Sequence, residues 1–192
     1  LESREGNLEK ALELARAIDG KRPKFAAGRM LAGDAYVRAK QFKKALVEYD
    51  AGLKKVDTGA LAIRRFNAQR QAENLDKALA GLQTWVDRKN EVAVRHVLAS
   101  NYISSKRYGD AIRESEKLLK TDQNNPVLLN NLAWLYSEKK DPRAVEYGKK
   151  ALERAPKSAA VMDTVGWILL NSGDENQGTE LLRKANEAAP KQ

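Results

Sequence analysis

Small residues recur along the chain at a regular interval. Ala11, Ala45, Ala78, Ala111, Ala144 and Gly178 stand 34, 33, 33, 33 and 34 residues apart. A second column, Gly33, Phe66, Ala99, Ala133 and Gly166, precedes members of the first by 11 or 12 residues, and four of its five members are small. Two antiparallel helices can approach closely only where side chains are nearly absent, so this pattern predicts one helix hairpin per period. Apolar positions extend it. Tyr36, Tyr102, Tyr136 and Leu169 follow the second column by three, on the same face of each first helix. On each second helix, Ala15, Tyr49, Leu82, Ser115, Gly148 and Leu182 lie four after the first column. Ile18, Gly52, Trp85, Leu118, Ala151 and Ala185 lie seven after it, completing an i, i+4, i+7 stripe. Second helices should stop at Pro23, Pro156 and Pro190, which lack the N–H donor and clash with the preceding turn; Asp57, Asn90 and Gln123 hold that place elsewhere. Turn and cap chemistry is expected at Gly6-Asn7, Glu73-Asn74, Lys140-Asp141-Pro142 and Gly173-Asp174, with Asn125-Pro126 opening a first helix.

These columns resemble the tetratricopeptide repeat, whose pattern has small residues at its eighth, twentieth and twenty-seventh positions and proline at its thirty-second. The resemblance implies an all-α fold, a right-handed α-solenoid of antiparallel helix pairs, running as one superhelix over residues 1–192. Residues 1–23 read as a partial repeat, mostly its second helix, followed by repeats 24–57, 58–90, 91–124, 125–156 and 157–190. Repeat 58–90 departs most: Phe66 replaces a small residue, Arg65 an apolar one, and Trp85 fills a usually small site. Pentatricopeptide RNA readers have a near-identical period, but the Gly/Ala and Tyr columns match the protein-binding version better.

The last two repeats carry a closer resemblance. Asn130-Asn131-Leu132-Ala133-Trp134-Leu135-Tyr136, then Asp163-Thr164-Val165-Gly166-Trp167-Ile168-Leu169, with Gly178, Leu181, Leu182, Arg183 and Ala185, look like the repeat lipoproteins of bacterial PEP-CTERM and exosortase systems, linked to exopolysaccharide production. Leu61-Ala62-Ile63-Arg64-Arg65 and Trp85 are similar to it too. The resemblance implies a lipoprotein facing the periplasm in a Gram-negative envelope; a cytoplasmic protein is the alternative. Because the chain starts at Leu1 with no signal sequence, it reads as an excised segment with any lipidated cysteine outside it. Such a segment is expected to lack polar caps, so that residues 1–19 and the helix ending at Ala189 self-associate or fray.

Composition narrows the chemistry. With no cysteine, disulfides and thiolate metal sites are excluded. No uncharged stretch reaches the ~18 apolar residues of a membrane span. The single histidine, His96, sits among Val94, Val97 and Leu98, and a structural or groove-lining role is favoured over a catalytic one. Zinc would need three or four N or S ligands, and no calcium loop or phosphate-binding Gly-rich loop is present, so neither catalysis nor a cofactor or metal is expected. The net charge is +9, with +7 of it in residues 1–96, much of it between Arg16 and Lys55. No aromatic platform for stacking bases accompanies it, so a solvated face is favoured, an anionic protein or polysaccharide contact comes next, and nucleic acid is disfavoured. RNA binding through this basic half remains the alternative function.

The concave groove is the better candidate for a protein or peptide ligand. In a tetratricopeptide array the first helices line it, and its inward positions here would include Asn67, His96, Ser100, Asn130, Asn131, Trp134, Ser137, Asp163, Trp167 and Leu170. The resemblance gives Asn131 a peptide-holding amide, while the paired lysines of the carboxylate-clamp subtype are missing. Asn130, Trp134 and Ser137 form one stripe and Asp163, Trp167 and Leu170 the next, with Leu170 as an apolar floor. Each indole is weighed as repeat packing or partner contact, both being open to one ring.

Overall fold

The computed structural model describes residues 2–188, with side chains described from residue 7 onward. Among the described residues there are eleven helices and no strand: α1 (Glu2–Lys21), α2 (Ala27–Arg38), α3 (Phe42–Lys55), α4 (Gly59–Ala72), α5 (Leu75–Lys89), α6 (Val92–Ser104), α7 (Tyr108–Leu119), α8 (Pro126–Glu138), α9 (Arg143–Arg154), α10 (Ala159–Asn171) and α11 (Glu175–Ala188). The chain divides into two compact units, residues 1–98 and 99–192, the division falling within α6.

In the first unit, helices α1 to α5 pack each on the next. Gly33 lies directly under the Tyr49 ring, so any Cβ there would enter the phenol. Ala45, Tyr49, Leu61 and Ala68 are the centre of one core cluster. Repeat 58–90 accommodates its departures with polar partners. Phe66 and Trp85 are both buried, and the Trp85 indole N–H donates to Asp57 at 2.6 Å. Arg65 turns its guanidinium outward, donating to Asp50 and, at 2.8 Å, to Gln69.

In the second unit, α8 packs on α9 and α10, and α10 on α11. The predicted small columns meet where they should: a Cβ on Gly166 would stand 2.8 Å from Leu182 Cγ, and one on Gly178 would stand 2.8 Å from the Gly166 carbonyl oxygen. Leu132, Ala133, Tyr136, Ala144 and Ile168 form one core cluster, and Leu129, Ala151, Val161, Val165 and Leu169 another.

The tyrosine column has a backbone role as well. Helices α2, α6, α8 and α10 end in left-handed residues, Lys40, Lys106, Lys140 and Gly173. Beyond each, Gln41, Arg107, Asp141 and Asp174 donate N–H to the carbonyls of Tyr36, Tyr102, Tyr136 and Leu169 at 2.8, 2.9, 2.9 and 2.9 Å. This 6→1 bond, with the inner bond from the left-handed residue, is a Schellman closure that satisfies carbonyls the helix leaves unpaired. Of the second helices, α5, α9 and α11 start on side-chain caps, whereas α3 and α7 do not: Asn74 accepts from Lys77 N–H, Asp141 from Arg143 N–H and Asp174 from Gln177 N–H.

One expected turn is absent. The backbone at Gly6-Asn7 is helical, and α1 runs through it. Asn7-Leu8 repeats the Asn74-Leu75 cap signal, but Asn74 follows α4, which must reverse into α5. At Asn7 the chain does not reverse, and the helix extends cooperatively through it. Pro190, Leu1 and the helix end at Ala189 lie outside the described residues.

Candidate functional site

Local sequence sets the start of both helices that carry most of the candidate residues. Asn125 accepts from Val127 and Leu128 N–H at 3.0 and 3.2 Å, with Pro126 at the first position of α8, where its missing donor costs nothing. Ser158 caps α10 through Val161 N–H. The two helices then lie against each other. Neither contains a lysine or arginine, and their only acids are Glu138 and Asp163.

Asn130, Asn131, Trp134 and Ser137 lie on α8, and Asp163 and Trp167 on α10. Asn130 and Asn131 are half-buried, and the Asn130 Oδ1 atom is buried with no hydrogen-bond partner. Trp134 is half-buried and meets Tyr108 edge-on, ring centroids 5.4 Å apart. Burial, reinforced by the facing Glu138 carboxylate, pushes the Tyr108 phenol above its ordinary pKa. Trp167, at the equivalent place one repeat later, is 55% exposed. Asp163 is exposed and makes no ion pair among the described residues. Leu170, expected as a floor between the stripes, instead turns toward α11: its Cγ lies 2.8 Å from where a Cβ on Gly178 would be, close in because the glycine leaves that space. Ser100 is exposed on α6 in the same unit.

Asn67 on α4 and His96 on α6 belong to the first unit, and both are exposed. The polar group that unit does assemble is different. Asp34 accepts from the Tyr49 hydroxyl at 2.6 Å and from Arg64 Nε at 3.2 Å. Burial and then the Asp34 bond push the Tyr49 phenol far above its ordinary value, so it stays a neutral donor. Arg29 bridges Asp19 and Glu48, Lys55 reaches Asp19, and Arg88 and Lys89 reach Asp57. Several of the N-terminal basic side chains are therefore already paired, and the net surplus over the acids rests on the others.

A feature missed by reading residue types is a cavity of about 590 Å³ between the α8–α9 hairpin and α10. Pro142, Ala144, Val145 and Ile168 wall it, with Ser137 and Asn171 on the polar side. Its signal in the sequence was the interval between Ala133 and Ala144, 11 residues rather than 12. A cavity of about 580 Å³ between α7 and α9 differs in kind, being rimmed by Glu116, Lys120, Lys150, Glu153 and Arg154.

No protein-family model matches the chain, and no curated protein matches it in sequence. Solved structures match its fold. YrrB, described as a TPR protein with an unusual peptide-binding site, is similar with a TM-score of 0.69 at 14% identity, over 94% of this chain and 94% of its own. MamA from Desulfovibrio magneticus RS-1 gives 0.67 at 14% identity, over 85% of this chain and 94% of its own. Another MamA structure gives 0.64 at 18%, over 85% and 95%. At such identities the likeness is one of fold, and the fold is the all-α tetratricopeptide solenoid.

Proposed function

We propose that this chain is a non-catalytic protein-interaction scaffold that holds a peptide segment of its partner along α8 and α10. One observation carries the reading: of two first helices packed on each other, α10 carries an exposed indole, Trp167, and α8 carries half-buried amides, one of which keeps a buried carbonyl oxygen without a partner. An aromatic ring offers a large contact area with few torsions to freeze, and amides satisfy the N–H and C=O groups of an extended backbone. Similarity in fold to a peptide-binding tetratricopeptide protein supports it. The resemblance of residues 130–136 and 163–169 to the PEP-CTERM lipoproteins suggests the setting, an assembly for exopolysaccharide or protein sorting at the bacterial envelope.

Display selection of peptides on the immobilised chain, followed by calorimetry of the selected peptides, tests this. Asn131→Ala and Trp167→Ala should each weaken binding by about 1 to 3 kcal/mol, the range of interface hot spots. Unchanged affinity in the folded double variant would move the site off α8 and α10. If no peptide is selected and RNA binds with a log–log salt slope steeper than about −4, phosphate neutralisation replaces the scaffold reading.

A further inference from the structure

The second helices of three successive repeats begin on a large apolar residue: Phe42 in α3, Leu75 in α5 and Tyr108 in α7, all half-buried. In the next repeat the equivalent places hold Asp141 and Pro142, and α9 begins on Arg143, which is exposed and turns back to Asp141, Tyr136 and Glu116. The connection is also shorter. Five residues separate the left-handed lysine from the column alanine in Lys40–Ala45 and Lys106–Ala111, but four in Lys140–Ala144. The connection Asp141-Pro142-Arg143 holds no large apolar residue in that place.

The preceding repeat displays what the missing residue does. Tyr108 places its ring edge-on to Trp134 of the next first helix, with the Glu138 carboxylate facing its hydroxyl. Thirty-three residues on, Trp134, Leu135 and Glu138 correspond to Trp167, Ile168 and Asn171. There, Pro142 and Asp141 stand where the tyrosine would be, the indole is 55% exposed, and the cavity of about 590 Å³ opens between Pro142 and Ile168. The shape and polarity that suit a phenol in one repeat are left empty in the next.

We propose that this cleft receives a tyrosine side chain from the partner polypeptide, seated edge-on to Trp167 with its hydroxyl bonded to Asn171. This rests on the scaffold reading and names its ligand. Charge extends the recognition along α10. Asp163 lies eight residues before Asn171, about 12 Å along a helix, a span that an extended chain covers in three or four residues at about 3.3 Å each. Asp163 is exposed and lacks an ion pair among the described residues, whereas Lys140 stands at the mouth of the cleft. The fitting segment therefore carries the tyrosine and, three or four residues away on the side distant from Lys140, a lysine or arginine.

Two probes test the proposal on the whole chain. In an NMR titration, p-cresol should shift the Ile168 methyls, the Asn171 side-chain amide and the Trp167 indole N–H. It should bind about threefold to tenfold more tightly than toluene, the worth of one hydroxyl hydrogen bond. Pro142→Tyr, which restores the ring in cis, and Ser172→Trp, which blocks the mouth from an exposed position, should both remove binding. Peptides holding Arg-Ala-Ala-Tyr in a Gly-Ser host, in both chain directions, should lose affinity on Tyr→Ala, and Asp163→Asn should abolish the preference for arginine over alanine. Equal affinity for toluene and p-cresol, shifts confined to other residues, or full binding by both folded cleft variants overturns the proposal. Selected peptides without an aromatic residue that remain sensitive to Asn131→Ala and Trp167→Ala would overturn the tyrosine and leave the scaffold standing. Site-specific p-cresol binding with no selectable peptide would do the reverse. Concentration-dependent dimers lost on Phe25→Ser, a ring 60% exposed in the α1–α2 connection, would assign the cleft to a second copy and refute a foreign partner.

Discussion

Replacing Gly178 by alanine sets two opposing effects against each other, and the structure decides between them. Alanine is favoured over glycine in a helix interior by about 1 kcal/mol, because glycine loses more backbone freedom on folding. Gly178 lies in α11, so propensity alone predicts stabilisation. A Cβ there would stand 2.8 Å from the Gly166 carbonyl oxygen, 2.8 Å from the Leu170 backbone nitrogen and 2.8 Å from Leu170 Cγ. Two of these atoms are backbone and cannot rotate away, so α10 and α11 must separate. Overpacking of this kind costs about 1 to 3 kcal/mol. The net expectation is destabilisation by up to about 2 kcal/mol, or roughly 4 to 8 °C in Tm for a chain of this size. Gly109→Ala in α7 is the control: no atom lies within 4 Å of its Cβ position, so only the propensity gain remains and Tm should rise or hold. Repeat arrays do not always unfold in one step, so thermal melts need amide hydrogen exchange across α10 and α11 beside them. The Gly178 variant should lose protection there first. A Tm for Gly178→Ala at or above wild type would refute the close-approach account of the small columns.

Other perturbations have similarly definite outcomes. Lys106→Gly should raise stability by about 1 kcal/mol, since a left-handed residue with a Cβ is strained where glycine is not; thermal melts measure it. Trp134→Ala removes a half-buried ring and its contact with Tyr108 and should cost about 2 to 4 kcal/mol, whereas Trp167→Ala should cost less than about 1 kcal/mol, which urea titrations would separate. Burial works against ionisation of Asp57, yet the Arg88, Trp85 and Lys89 donors together outweigh it and hold the carboxyl below its ordinary value of 3.8. Its stabilising effect is therefore complete above pH 3.8 and lost as pH falls through the depressed value. The stability gap between wild type and Asp57→Asn should be constant from pH 7 to about 5 and shrink below about pH 4.

The helix hairpins were legible because their requirement is steric and local: two backbones at contact distance favour Gly or Ala, and both columns are written in those residues except at Phe66. Caps at Asn74, Asn125 and Asp174 were legible for a like reason, since a side-chain oxygen before an apolar run has one favourable use. The left-handed ends at Lys40, Lys106 and Lys140 were not, because lysine carries no preference for that region; the Schellman bonds to the tyrosine-column carbonyls impose it. Gly6-Asn7 misled because a cap signal ends a helix only where packing also reverses the chain. Leu170 was placed on the groove by periodicity, but glycine at 178 drew it toward α11. The cleft depends on a residue that is missing, and residue types on their own carry no signal for a space.

Two departures from the repeat pattern therefore have different meanings. In repeat 58–90, Arg65 and Trp85 break the columns, but each has partners within its own unit: Asp50 and Gln69 for the guanidinium, Asp57 for the indole N–H. Such a departure is self-contained, because neighbours in its own unit pair it. In repeat 125–156, the loss of the apolar residue that opens the second helix has no counterpart change. Trp167 stays more than half exposed and Ile168 walls an open cleft. A ring seated in this open cleft would add contacts of the kind that Tyr108 makes one repeat earlier. An uncompensated gap in an otherwise periodic core is thus a stronger pointer to a ligand than an unusual residue, because the periodic copies state what should have filled it.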